Sequence, residues 1–228
     1  MEEPAFLLSQ PVQRIRSDLM PLRAIIFDYG MVLTGPANAL AHQYMLDLTQ
    51  LDHATFEHHY WLHRHAYDLG DLQGITYWQA FARTSGAQLS AQTIGALIQQ
   101  DMHHWMDLNP QMLRWAAAIQ AARMRTAILS NMGADLLAHM RAHFDWLRGF
   151  DQLTWSCELH LAKPQPEIYQ HTLDRLGVRA EQALFLDDRA ENIAGAQAVG
   201  LHALLFSNVA QLREDLSRHG FAHQLPPL

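Results

Sequence analysis

Polar side chains stand directly after three short apolar runs of the sequence, and a lysine lies between the second and the third run. Each of these residues has an ordinary explanation by itself, because Asp, Ser and Asn are frequent turn and cap residues. Together they supply three carboxylates, a hydroxyl, an amide and an ammonium group, a set that can do chemistry. The residues are Asp28, Ser130, Asn131, Lys163, Asp187 and Asp188.

The three carboxylates, Asp28, Asp187 and Asp188, would repel one another if the fold brought them together. A divalent cation relieves such repulsion, and oxygen ligands without cysteine or paired histidines favour Mg²⁺ over zinc. The hydroxyl of Ser130 and the ammonium of Lys163 suit a phosphoryl group, as a hydrogen-bond donor and a point charge. A carboxylate can also attack phosphorus and form an acyl phosphate. The set therefore indicates metal-dependent phosphoryl chemistry.

Four short apolar runs are predicted to be the strands that position this set. Each is too short for a helix, and helical patterns separate most of them. Alternating strands and helices predict a parallel sheet with right-handed crossovers, an α/β fold of the Rossmann type. Ligands bind at the carboxyl ends of such strands, so the polar set is expected at one rim of the sheet. The four runs are 24–27, 126–129, 183–186 and 202–206.

The stretch 36–109 interrupts this alternation, because it contains helical patterns and no convincing strand. It is predicted to be an inserted all-helical cap domain, entered at Gly35-Pro36 and left at Asn109-Pro110. Its turn 70–74 is expected to reach towards the site. The predicted division of the chain is an N-terminal extension, 1–22, a Rossmann-like core, 23–35 and 110–228, and the cap, 36–109.

The composition limits the classes of function. Sixteen Lys and Arg residues against 23 Asp and Glu residues give a net charge of −7, which argues against binding to the phosphate backbone of nucleic acids. The single cysteine, Cys157, cannot form an internal disulfide, so a reducing, cytoplasmic location is expected. No apolar run approaches the length of a membrane span. We therefore expect neither a nucleic-acid partner nor a membrane partner.

The motifs and their order resemble those of the haloacid dehalogenase-like hydrolase superfamily. FDYGMVL is similar to the first motif of that family, LSN to the second, the lysine of AKPQPEIY to the third and LFLDDRAEN to the fourth. The helical insertion directly after the first motif resembles the family's first type of cap domain. Within the superfamily, the chain resembles phosphatases that have Gly two residues after the nucleophile, including bacterial glucose-1-phosphate phosphatases.

The resemblance implies a role for each residue of the polar set. Asp28 would be the nucleophile that attacks phosphorus, and Lys163 would neutralise the phosphoryl oxygens. The substrate would be a small phosphorylated metabolite, whose dephosphorylated product leaves in this attack, and water would then hydrolyse the phosphoaspartate and release phosphate. The residues implied in catalysis are Asp28, Ser130 and Lys163, those in substrate binding are Ser130, Asn131 and Lys163, and those in Mg²⁺ binding are Asp28, Asp187, Asp188 and the backbone carbonyl of Gly30.

Gly30 departs from the usual family pattern. Most of the superfamily's phosphatases have an Asp there, which protonates the leaving oxygen and then activates water, and such help is typically worth about 10²–10⁴ in rate. We expect a Mg²⁺-dependent hydrolase of small phosphate monoesters whose leaving oxygen departs easily, as in a sugar 1-phosphate. Another residue could supply the proton, and His63, His65 and Asp71 are candidates.

Two other functions stay open. The superfamily's 2-haloacid dehalogenases also lack the second Asp and need no metal, but their first motif has Tyr two residues after the nucleophile, whereas Tyr29 follows Asp28 directly. The other alternative is a weakly active or inactive binding or regulatory module, since loss of a general acid weakens hydrolysis.

Overall fold

A five-stranded parallel sheet forms the centre of the protein, which the structure, a computed structural model, describes over residues 20–228. The strands are β1 (Ala24–Phe27), β2 (Arg125–Ser130), β3 (Gln152–Trp155), β4 (Ala183–Asp187) and β5 (His202–Leu205). They lie in the order β3-β2-β1-β4-β5. The predicted α/β fold is therefore confirmed. Most of the predicted extension, 1–22, lies outside the described residues.

Strand β3 is missing from the sequence-based prediction. Its residues, QLTW, alternate polar and apolar side chains, and its first two residues are half-buried. The strand lies at the edge of the sheet and pairs with β2 alone. A continuous apolar run marks a strand that is buried on both faces, so a short edge strand lacks that signal.

The register of the central strands brings the first and the last motif together. Phe27 of β1 pairs with Ile128 of β2 on one side and with Leu186 of β4 on the other. The backbone N–H of Asp28 then donates to the carbonyl of Leu186 at 2.9 Å. The carboxyl ends of β1, β2 and β4 are therefore level at one rim of the sheet.

Five α-helices follow one another within residues 39–104, between β1 and the helix that precedes β2. No strand interrupts them within the described residues 36–107, and an aromatic cluster that includes Phe56, Trp78 and Phe81 forms their own core. The boundaries of a separate cap domain stay a prediction, and we refer to these helices as the insertion. They are α1 (Ala39–Thr49), α2 (His53–Leu62), α3 (Arg64–Asp68), α4 (Gly74–Ser85) and α5 (Ala91–His104).

Six further helices cover the two faces of the sheet. Side chains of β1 alternate between these faces, so that Phe27 meets Trp115 edge to face at 5.9 Å between ring centroids while Ile26 packs with the opposite cluster. None of the helices within 20–228 is long and apolar enough to cross a bilayer. The six are α6 (Pro110–Ala121), α7 (Ala134–His143), α8 (Ser156–Leu159), α9 (Pro166–Leu176), α10 (Ala190–Ala198) and α11 (Val209–Arg218).

The insertion is held to the sheet at a paired neck and along α3. At the neck, Thr34 and Leu108 form an antiparallel bridge. Along α3, the hydroxyl of Tyr67 donates to Asp135 of α7 at 3.0 Å. The ring of Tyr67 also lies so close to Gly133 that an added Cβ there would approach it to 2.3 Å. Gly133 is therefore a glycine because the insertion packs directly against this backbone.

Candidate active site

Asp28 lies directly after β1, at the rim of the sheet, and is 7% exposed. Its Oδ1 accepts a hydrogen bond from the backbone N–H of Tyr29 at 2.6 Å. The chain then turns sharply, and Met31 adopts a left-handed φ of 58°, which is uncommon for a residue with a side chain. Gly30 has an ordinary extended φ of −61°, and a Cβ added there would have no atom within 4 Å. Neither backbone conformation nor space therefore requires a glycine at position 30.

Lys163 joins two of the three predicted carboxylates. Its Nζ lies 2.9 Å from Oδ1 of Asp28 and 2.6 Å from Oδ2 of Asp187. The backbone of Lys163 is held in turn by Asn131, whose Nδ2 donates to the Lys163 carbonyl and whose Oδ1 accepts from its N–H, both at 2.9 Å. Binding of the substrate by Asn131 stays a prediction, and its side chain already positions the lysine.

Asp187 is fully buried at the end of β4 and is surrounded by donors. Its carboxylate accepts from Asn192 Nδ2 at 3.0 and 3.1 Å and from the backbone N–H of Arg189 at 2.8 Å, in addition to Lys163. Asp188 is less buried and lines the cavity described below. Carboxylate oxygens of Asp28, Asp187 and Asp188 lie within 4.8 Å of one another. We call Asp28, Lys163, Asp187 and Asp188 the rim cluster.

Burial and mutual repulsion shape the ionisation of the rim cluster. Burial raises the pKa of Asp28 to about 7. The positive charge of Lys163 acts to lower this pKa, and the negative charge of Asp187 acts to raise it. Burial also raises the pKa of Asp188, and Asp187 adds to the shift. For Lys163, burial acts to lower the pKa, but the charges of Asp28 and Asp187 outweigh it and leave the pKa above its ordinary value. The lysine is therefore charged, while the carboxylates are difficult to ionise together.

A cavity of about 770 Å³ lies between the rim and the insertion. Ser130 ends β2 and lines this cavity, and its hydroxyl forms no hydrogen bond with any residue of 20–228, so it is available to a ligand. The predicted turn 70–74 does not line this cavity, because Gly70 packs against the backbone of Cys157 in α8. The insertion reaches the cavity instead through Trp61, Arg64, His65, Asp68 and Trp105.

Arg64 organises the polar part of the cavity roof. Its Nη1 donates to Asp101 at 2.9 Å and to the hydroxyl of Tyr60 at 2.6 Å, and its Nε donates to Asp68 at 3.0 Å. We call Arg64, Asp68 and Asp101 the insertion cluster. Sequence reasoning missed it, because a helical pattern does not reveal which polar residues face a neighbouring element. The predicted proton donors fare differently: His65 lines the cavity, whereas His63 and Asp71 lie outside it.

Comparison with known proteins identifies the family of this chain. A family model described as haloacid dehalogenase-like hydrolase matches residues 23–200. An (S)-2-haloacid dehalogenase from Pseudomonas sp. is 26% identical over 226 residues, which cover 91% of this chain and 94% of that protein. A flavin mononucleotide hydrolase from Arabidopsis thaliana is 37% identical over 79 residues, which cover 33% of this chain and 32% of that protein.

The fold of this chain is also similar to that of a solved structure. A crystal structure of a haloacid dehalogenase-family enzyme from Bacteroides thetaiotaomicron, in complex with magnesium and inorganic phosphate, matches with a TM-score of 0.67 at 16% identity. The match covers 84% of this chain and 98% of that chain. The family model spans the first strand, the insertion and the fourth strand of the sheet. The chain therefore belongs to the haloacid dehalogenase-like hydrolase family.

Proposed function

We propose that the protein is a Mg²⁺-dependent hydrolase of small phosphate monoesters that works through a phosphoaspartate at Asp28. The observation that carries this proposal is the charge of the rim cluster. Three carboxylates meet within 4.8 Å, and Lys163 supplies one positive charge, so the cluster carries two excess negative charges when all three carboxylates are ionised. A divalent cation and a phosphoryl group would complete such a site.

The residues of the site suit the steps of this reaction. Asp28 lies at the tip of β1, where its carboxylate can attack phosphorus. Lys163 lies next to Asp28 and would neutralise the phosphoryl oxygens, and the unpaired hydroxyl of Ser130 would donate to them. Asn131 and Asp187 hold the lysine from its backbone and from its ammonium end. The phosphoryl group would therefore meet donors that are already positioned.

The oxygen donors at the rim fit a magnesium ion. The proposed ligands are Asp28, Asp188 and the carbonyl of Gly30, with Asp187 completing the set. Both oxygens of Asp187 already accept hydrogen bonds, so Asp188 is the freer of the two neighbours. Bound Mg²⁺ would orient the phosphate and offset its negative charge.

The cavity indicates the kind of leaving group. Gly30 supplies no acid, so an ester whose leaving oxygen is weakly basic is favoured. Trp61 and Trp105 stand at 6.5 Å between ring centroids and offer flat apolar walls. Such walls suit a sugar ring or another flat group next to the phosphate. We therefore propose that the substrates are sugar 1-phosphates and other phosphate esters whose leaving hydroxyl group is similarly acidic.

The proposal is tested by phosphate release from a panel of sugar phosphates and aryl phosphates, with Mg²⁺ or with EDTA. We expect turnover with Mg²⁺ alone and a loss of about 10⁴-fold or more in Asp28→Asn, because the nucleophile is removed. Asp145→Asn, which changes an exposed carboxylate, is the matched control and should retain full activity. Equal activity with EDTA would contradict the metal assignment.

A 2-haloacid dehalogenase is the second candidate, because the Pseudomonas dehalogenase resembles the chain over nearly its whole length. A halide leaves without a proton, which also agrees with Gly30. However, attack of a carboxylate on a carbon–halogen bond needs no cation, and the rim cluster would keep its excess negative charge. Chloride release from 2-chloropropionate in EDTA, abolished by Asp28→Asn, would place this function first.

A further inference from the structure

The proposed reaction includes two proton transfers, and Gly30 has no side chain that could carry them out. The leaving oxygen must gain a proton, and the attacking water must lose one. Three side chains with a carboxyl or imidazole group line the cavity apart from the rim cluster: His65, Asp68 and Glu191. His65 and Glu191 are exposed, and Glu191 is already bound by Arg189 at 2.6 Å. Asp68 is the most enclosed of the three.

One oxygen of Asp68 is fixed and the other is free. Oδ1 accepts from Nε of Arg64 at 3.0 Å. Oδ2 forms no hydrogen bond within the described chain, and the side chain is 16% exposed, on the cavity. The carboxyl group is therefore oriented by Arg64 and keeps one oxygen unpaired, on a residue that lines the cavity.

A single buried hydroxyl ties Asp68 to the phosphate side of the cavity. Oγ of Ser156, at the start of α8, donates to the carbonyl of Asp68 at 2.5 Å and accepts from the backbone N–H of Met132 at 2.9 Å. Met132 follows Ser130 and Asn131 on the same loop. The end of α3 is therefore held next to the loop that binds the phosphoryl group.

The charges around Asp68 suit a group that exchanges a proton. Arg64 is shared between Asp68 and Asp101, so the insertion cluster carries one excess negative charge when both carboxylates are ionised, and a proton on Asp68 makes it neutral. Burial raises the pKa of Asp68, although Arg64 acts to lower it. The titratable groups around Asp68 are Arg64 and His65 on α3, Tyr77 on α4, Asp101 on α5 and Cys157 on α8.

We propose that Asp68 is the general acid and base of this enzyme and replaces, from the insertion, the carboxyl group that Gly30 lacks. The inference rests on the proposed function. In the first step, Asp28 bonds to phosphorus, the bond from phosphorus to the leaving oxygen breaks, and that oxygen takes the proton of Asp68. In the second step, water bonds to phosphorus, its proton passes to Asp68, and the bond to Asp28 breaks to release phosphate.

The test compares two esters of similar size and different leaving groups, benzyl phosphate and p-nitrophenyl phosphate, with Mg²⁺ present. Asp68→Asn should lower kcat on benzyl phosphate by about 10²–10⁴ and on p-nitrophenyl phosphate by less than about tenfold, because nitrophenolate leaves without protonation. The basic limb of the wild-type pH profile on benzyl phosphate should disappear in the variant. Asp145→Asn, the exposed control used above, should leave the ratio of the two rates unchanged.

A second variant places a carboxyl group at position 30, two residues after the nucleophile. Gly30→Asp has room for its side chain, and Gly30→Asp combined with Asp68→Asn should regain benzyl phosphate turnover relative to Asp68→Asn alone. Equal losses on both esters in Asp68→Asn, with no recovery in the double variant, would overturn the role of Asp68 while leaving the phosphatase in place. A wild-type protein that releases phosphate from neither ester nor from the sugar phosphates would overturn both proposals.

Discussion

The rim cluster and the insertion cluster use one arrangement at two places: a buried cation between two carboxylates. In the rim cluster, Lys163 lies between Asp28 and Asp187 at 2.9 and 2.6 Å. In the insertion cluster, Arg64 lies between its two carboxylates at 3.0 and 2.9 Å. The two clusters face the same cavity from opposite sides, through Lys163 and Arg64.

The difference between them lies in the kind of cation and in the number of acids. The rim has a third carboxylate, Asp188, and its cation is a compact ammonium that can also contact a phosphoryl oxygen. The guanidinium of Arg64 is bound on several sides, including by the hydroxyl of Tyr60. The rim is therefore suited to take up a cation and an anion, whereas the insertion cluster is suited to hold one carboxyl group in place.

The largest effect is expected from Lys163→Met. It leaves the buried carboxylates of Asp28 and Asp187 without their cation, and breaking such a pair costs about 3–5 kcal/mol of stability. Phosphate release should be lost with it. Urea denaturation with EDTA measures the loss, and Mg²⁺ should restore part of the stability by binding to the folded state. A variant as stable as the wild type in EDTA would contradict the charge balance given for the rim.

Arg64→Met makes the same change in the insertion cluster, because it removes the cation of that cluster. Asp68 and Asp101 would be left unpaired, and we expect a similar loss of about 3–5 kcal/mol in the free energy of unfolding. Here Mg²⁺ should restore no stability beyond its effect on the wild type. Recovery with Mg²⁺ equal to that of Lys163→Met would show that the two clusters do not act separately.

The pH dependence of stability should respond to Mg²⁺ at the rim alone, although burial raises the pKa of Asp68 as well as that of Asp28. In EDTA, the folded protein holds a proton on Asp28 up to about pH 7, whereas the unfolded chain releases it near pH 4. Because the folded state binds more protons in this window, stability should fall as the pH rises, by up to about 1.4 kcal/mol per pH unit for one proton. Mg²⁺ should flatten this dependence. A stability that rises with pH in EDTA would contradict the raised pKa.

The smallest effect is expected at an exposed pair. Arg141 and Glu158 form a bidentate contact at 2.6 and 2.9 Å, but both side chains are about half exposed. Glu158→Gln should therefore change the free energy of unfolding by less than about 1 kcal/mol, since water and salt screen such pairs. A loss as large as that of Arg64→Met would show that burial does not separate these ion pairs.

The rim could be predicted from the sequence because its residues follow strands. Parallel strands of similar length end at one edge, so Asp28, Ser130 and Asp187 were expected together from their positions alone. The short β3 escaped prediction, since its alternating residues resemble a loop as much as an edge strand. The open space around Gly30 could not be predicted either, because the presence of a glycine in a sequence does not show whether the backbone conformation requires it.

The sequence by itself determined the α/β fold, the helical insertion and the set of groups at the rim, since all of these depend on local patterns and on chain order. Only the tertiary structure decided that Arg64 and Asp68 face the cavity and that the turn 70–74 does not. The side of α3 that meets the rim is fixed by the packing of Tyr67 on Gly133 and by the hydroxyl of Ser156. Such contacts join residues far apart in the chain, and no local pattern encodes them.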